Sequence, residues 1–312
     1  MAKVVATIIP IFMLIILGAG VRRLGFMKDD FVVSANRLVF YLAIPALVFR
    51  ALTKAALRSE FNLWSVIMMI LAVLAVALLA LLYNRARKDA DGPLSGTFAQ
   101  AAVHGNLGYI GLAVAFYYLD EGGFSRVSML VGFLMILQNL LGVILLQYYC
   151  GKKQDSRSFW GILAPVLLNP IILAAVAGII FNLSSLPMPP VFDRFLLILS
   201  GLALPMGLLL IGASISFALL RQWLPQALLV AFLKLFLLPA AGLLLFYLAG
   251  VDPQTFTPAL ILLAAPTATL TYVMAREMGG HVDLAVASVS LTTILSAFSY
   301  ALWLGLLGRF CL

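Results

Sequence analysis

The side chains with most chemistry to offer in this sequence stand inside long apolar runs: His104, Asn106, Gln138, Asn139, Lys234, Thr267 and Thr269, with Thr271 and Tyr272 close by. Neutral amides and hydroxyls at that depth offer hydrogen bonds to a ligand, Lys234 offers a fixed positive charge, and His104 is a residue type that titrates near neutral pH. Each also has a purely structural reading. An Asn, Gln or Thr in an apolar helix bonds a neighbouring helix, a His beside a glycine caps a helix break, and a buried Lys bonds backbone carbonyls. The set gives no enzyme. Paired intramembrane Asp residues are missing, and Ser128 and Ser288 are unconvincing nucleophiles with His104 as the one deep His. Cys150 and Cys311 fall at the ends of separate runs, so no disulfide, metal site or cofactor is expected.

The elements that must carry these residues are membrane helices. The chain has 312 residues, of which 64% are hydrophobic and 10% charged, and its mean hydropathy is +1.12. Soluble domains are about half apolar. Windows of about 20 apolar residues, the length that crosses a bilayer as a helix, lie near 4–21, 31–50, 61–83, 97–119, 127–149, 159–181, 192–216, 224–249, 256–275 and 284–308. Unbroken runs such as VIMMILAVLAVALLALL do not suit a barrel of alternating strands. The expected fold is an all-α polytopic membrane protein with ten transmembrane helices.

The net charge of +8 could suggest nucleic acid, but its distribution has a topological origin. With alternate loops on opposite sides, Lys3, Arg50, Lys54, Arg58, Arg126, Arg194 and Arg309 share one face. The other holds Arg22, Arg23, Lys28, Arg37, Arg85, Arg87, Lys88, Lys152, Lys153, Arg157, Arg221 and Arg276. The richer face is cytoplasmic by the positive-inside rule. Both termini are then expected outside, in a cell (inner) membrane, with the lipid bilayer as partner and no nucleic acid. The first window is not a signal peptide, because its basic residues follow it.

An internal repeat organises the windows. LAIPALVF at 42–49 matches LALPMGLL at 202–209 and sets Pro45 on Pro205, candidate hinge or gate residues, at an offset of 160. The same offset sets AVHGNLGYIGL at 102–112 on LLAAPTATLTY at 262–272, so Asn106 and Gly108 fall on Pro266 and Ala268. Five helices per half invert the second half relative to the first, dividing the chain at 1–152 and 153–312. Interrupted helices at corresponding places in two inverted halves point to the binding site of a secondary transporter. A break inside lipid strands backbone groups at several kcal/mol each unless protein, water or a ligand satisfies them. Helices 4 and 9 are therefore expected to be broken and to cross.

Lys234 stands ten residues into its window, about 15 Å deep at 1.5 Å per residue, beyond the roughly 6 Å that a snorkelling stem reaches. Two functional readings fit it: a counter-charge for an anionic substrate, or a tether whose ammonium caps helix carbonyls at a crossover. No Asp or Glu lies within a window, which disfavours a cation as cargo. His104 could couple transport to protons. Asn36 and Arg37 fit a headgroup anchor or an inner gate, and His281 has no special role.

NRLVFYLAIPALVF at 36–49, GNLGYIGL at 105–112, LKLFLLP at 233–239 and APTA at 265–268 together resemble the auxin efflux carrier family in its short-loop prokaryotic form. The resemblance spans essentially the whole chain. It implies two inverted five-helix repeats similar to bile-acid and sodium/proton antiporter architecture, with helices 1, 2, 6 and 7 as an often dimeric scaffold and helices 3–5 and 8–10 as a moving transport domain. It implies elevator-type carriage of an organic anion such as auxin, malate or malonate. The family's substrate-facing Asn corresponds to Asn106, flanked by Gly108 and Tyr109, its crossover proline to Pro266, and its polar pair to Gln138–Asn139. One departure is Ala113, where family members often have Pro. The long cytoplasmic loop of plant members is replaced by a short link around GKKQDSRS. A substrate-sensing receptor or a channel would use the same cavity.

Overall fold

The computed structural model describes residues 2–55, 62–87, 91–150 and 168–310. The link around GKKQDSRS, the first part of the window at 159–181, Arg58, Lys88 and Cys311 lie outside the described residues. The described residues fold into helices joined by turns and short links, with one isolated bridge; seven helices are long and apolar enough to cross a membrane and two apolar helices are shorter. This is an all-helical polytopic membrane protein.

The chain forms two compact units. The first comprises Met1–Asn62, Gly108–Phe133 and Leu167–Ser214, and the second Leu63–Leu107, Leu134–Val166 and Ile215–Leu312. In the first unit, α1 (Ala2–Arg23), α2 (Asp29–Leu38), α3 (Ile44–Thr53), α6 (Leu112–Tyr118), α8 (Pro170–Leu183), α9 (Pro190–Ser200) and α10 (Ala203–Ala213) pack together. Small residues let backbones approach where no hydrophobic drive separates helix from lipid. A Cβ on Gly18 of α1 would fall on the carbonyl of Leu209, and one on Gly212 of α10 on that of Ile15. Asn182 of α8 donates to the carbonyls of Leu52, Thr53 and Ala55 at 2.8–3.1 Å, satisfying the end of α3. Asp193 accepts from Arg50 at 2.7 Å and from Lys54 at 3.0 Å. Ala113, the departure from the family pattern, lies inside α6.

The second unit contains α4 (Leu63–Ala86), α5 (Gly92–Val103), α11 (Phe217–Gln222), α12 (Leu224–Phe232), α13 (Leu238–Leu248), α14 (Pro253–Leu263), α15 (Leu270–Glu277) and α16 (Val282–Phe310). Helix α7 (Glu121–Cys150) runs through residues of both units.

Two prolines shape the helices just before them. Pro45 and Pro239 each follow by two residues a five-residue π-helical segment, Val39–Ala43 and Leu233–Leu237. A proline has no N–H and its ring presses on the carbonyl four residues back. The wider turn accommodates this, with Ile44 N–H bonding Val39 and Leu238 N–H bonding Leu233. The carbonyl orphaned by Pro239 is that of Leu235, and the indole N–H of Trp303 donates to it at 2.8 Å. Lys234 sits in this widened segment.

Candidate functional site: two helix breaks paired in the second unit

Helix α5 ends at Val103, and the chain resumes as a π-helical segment, Leu107–Gly111, followed by α6. Helix α14 ends at Leu263, and α15 begins at Leu270. Between them, His104–Asn106 and Pro266–Ala268 pair with each other. Gly105 and Thr267 form an antiparallel bridge, flanked by Asn106 N–H donating to the Pro266 carbonyl at 2.6 Å and Ala268 N–H donating to the His104 carbonyl at 2.8 Å.

The other groups freed by the breaks find side chains, as buried backbone must. Gly105 N–H donates to Oε1 of Gln138 at 3.0 Å, and Thr267 N–H to Oγ1 of Thr292 at 3.1 Å. At the last turn of α14, Leu260 accepts from Ala264 N–H, Ile261 from the Tyr300 hydroxyl at 3.0 Å, Leu262 from Ala265 N–H, and Leu263 from Lys234 Nζ at 2.8 Å. Thr267 Oγ1 donates to the Ala101 carbonyl near the end of α5 at 2.9 Å.

Lys234 is fully buried. It bonds the end of α14, and a Cβ on Gly105 would lie 3.3 Å from its Cε and Nζ, so its charge adjoins both breaks. The salt bridges among the described residues join Arg22, Arg50 and Lys54 to carboxylates and do not involve it. What it meets instead is the C-terminal end of α14, which carries about half a negative charge.

The sequence candidates divide between the units. His104, Asn106, Gln138, Lys234, Pro266 and Thr267 come together at the paired breaks in the second unit through the contacts above. Gln138 is the buried member of its pair, whereas Asn139 is half-buried. Thr269 is half-buried at the residue before α15. Gly108 and Tyr109 belong to the first unit, where the Tyr109 hydroxyl donates to Oδ1 of Asn36 at 2.5 Å. Pro45 and Pro205 are also in the first unit, in the first turns of α3 and α10.

Gln100, Thr292, Tyr300 and Trp303 were not among the candidates. The four-residue spacing of Ser288, Thr292, Ser296 and Tyr300 inside an apolar run is the pattern that marks a polar face on α16. All four are fully buried.

The chain is 29% identical over 299 residues to a protein of Methanothermobacter thermautotrophicus named "Uncharacterized transporter", covering 95% of this chain and 96% of that one. It is 27% identical over 302 residues to a protein of Rhizobium meliloti named "Putative malonate transporter", covering 95% and 93%. A third relative, an uncharacterized transporter of Methanocaldococcus jannaschii, is 22% identical over 302 residues, covering 95% and 96%. The family model described as "Membrane transport protein" matches residues 3–158 and 151–304. The chain therefore belongs to this family of membrane transporters, the auxin efflux carrier family that its motifs resemble, and is not an enzyme.

Proposed function

We propose that this protein is a secondary transporter that moves a small organic anion across the membrane, with its substrate held at the paired breaks. The observation that carries the proposal is the bridge between Gly105 and Thr267. Such irregular backbone is tolerated at membrane depth where it is buried in protein or lines a cavity, and broken helices are where transporters bind their cargo. Asn106, Gln138, Asn139, Thr267 and Thr269 offer neutral hydrogen bonds, Pro266 maintains the second break, and the start of α15 carries partial positive charge. Lys234 contributes its charge from behind Gly105 while its ammonium stays on Leu263.

In this reading the fold is ten helices in two inverted five-helix repeats, divided near 152. Helices 1, 2, 6 and 7 of the ten form a dimeric scaffold, and helices 3–5 and 8–10 carry the substrate by an elevator motion with Pro45 and Pro205 as hinge or gate residues. Both termini face outward in the inner membrane. The name of the Rhizobium relative supports a short carboxylate as cargo.

The test is charge movement on a solid-supported membrane, with proteoliposomes challenged by malate, malonate, indole-3-acetate and a neutral control. Anion-evoked currents that saturate, and that fall in Lys234→Ala, are the expected result. Binding of an acid with no flux by current or radiolabel would make the protein a sensor, and large unitary currents would make it a channel.

A further inference from the structure

We propose that the paired breaks take their cargo as a monoanion: a monocarboxylate enters as it is, and a dicarboxylic acid such as malonate enters singly ionised, with its second carboxyl still protonated. The inference rests on the transporter reading above and narrows its substrate class.

Its starting point is a count of buried charge. Of the Lys, Arg, Asp and Glu side chains among the described residues, Lys234 is the one that is buried, at 0% exposure. A buried charge is costly unless an opposite charge is at hand, and among the described residues no carboxylate pairs with it. One of its three N–H donors goes to the Leu263 carbonyl at 2.8 Å, and the other two have no partner among the described residues. Only backbone lies between the ammonium and the first break, since a Cβ at Gly105 would fall 3.3 Å from Nζ.

The other charges at the breaks cancel. Helix α5 ends at Val103 and helical backbone resumes at Leu107, while α14 ends at Leu263 and α15 begins at Leu270. Each break therefore joins the end of one helical segment, with its partial negative charge, to the start of another, with its partial positive charge. The side chains that hold the breaks together, Gln138, Thr267, Thr292 and Tyr300, are neutral. A positive charge on His104 would be repelled by the neighbouring ammonium, so the imidazole adds none. The sum is one positive charge.

That sum selects the cargo. A monoanion brings the loaded site to neutrality. A dianion overshoots and leaves a net negative charge inside the membrane, where an uncompensated charge is most costly. A dicarboxylic acid therefore enters with one proton of its own. That proton travels on the cargo, and no group of the protein has to bind it.

The experiment compares acids of fixed and variable charge in the full-length protein. Proteoliposomes preloaded with an unlabelled acid are diluted into the same acid radiolabelled, well below half-saturation and with equal pH on both sides, from about pH 5 to about pH 8. The acids are malonate and two analogues whose single carboxyl is ionised throughout, monomethyl malonate and malonamate; protein-free vesicles correct for passive entry. The malonate rate, divided by that of a fixed monoanion, is expected to fall about tenfold per pH unit above the second ionisation of malonate. The division removes every effect of pH on the protein itself. A ratio that stays level or rises with pH, or carriage of malonate with carriage of neither analogue, means that the dianion is cargo; it overturns the inference and leaves the transporter reading intact. No carriage of malonate, malate, indole-3-acetate or either analogue by folded protein overturns the reading and the inference with it.

Discussion

Gly105 and Thr267 face each other across an antiparallel bridge in which neither gives its own N–H to the other strand. Those two N–H groups go to Gln138 and Thr292, and the neighbouring pair, Asn106 and Ala268, close the bridge. The hydroxyl of Thr267 then ties the bridge to Ala101 at 2.9 Å. Thr267→Val keeps the shape and removes that donor. A cost of about 1–3 kcal/mol is expected for the carbonyl left behind, read as a lower thermal midpoint of the purified protein in detergent. An unchanged midpoint would mean the hydroxyl carries none of the bridge.

Trp303 and Pro239 make a sharper case, because one exists to repair what the other removes. Trp303→Phe leaves the Leu235 carbonyl without its donor and is expected to cost about 1–3 kcal/mol. Pro239→Ala supplies a backbone N–H four residues after Leu235. The double variant should therefore recover much of the loss, a coupling that a double-mutant cycle on thermal midpoints measures directly. Additive losses would contradict the pairing.

In the first unit, Gly207 makes room for Tyr109. A Cβ at position 207 would come within 2.3 Å of the Tyr109 ring. Gly207→Ala is expected to displace the ring, break its bond to Asn36 and cost about 1–3 kcal/mol by overpacking. Adding Tyr109→Leu should relieve most of that cost in the same thermal assay. If the double variant is no more stable than Gly207→Ala, the clash lies elsewhere.

Much of the site was legible because membrane helices tolerate so few exceptions. His104-Gly105-Asn106 and Pro266 interrupt apolar runs, and each interruption falls between two helices. Lys234 is a charge where none is expected, and its depth alone forced it into protein. The offset of 160 sets Asn106 on Pro266 as equivalents, but says nothing of contact; their hydrogen bond arises because the two extended segments run antiparallel. What the sequence did not disclose is where orphaned groups are matched. Thr292, Tyr300 and Trp303 look like ordinary residues of an apolar helix, since a hydroxyl or indole bears no mark of which distant carbonyl or N–H it will meet. Prolines 45 and 239 were visible, yet whether a proline kinks, ends or widens its helix depends on packing around the freed carbonyl.

The central claim, that the paired breaks bind an organic anion during transport, is tested most directly by counterflow. Proteoliposomes preloaded with unlabelled malonate are diluted into radiolabelled malonate, with wild type and Asn106→Ala in parallel. The account predicts transient accumulation of label by wild type, dependent on the internal substrate, and loss of that accumulation in Asn106→Ala at equal reconstitution. Accumulation by Asn106→Ala equal to that of wild type would contradict it.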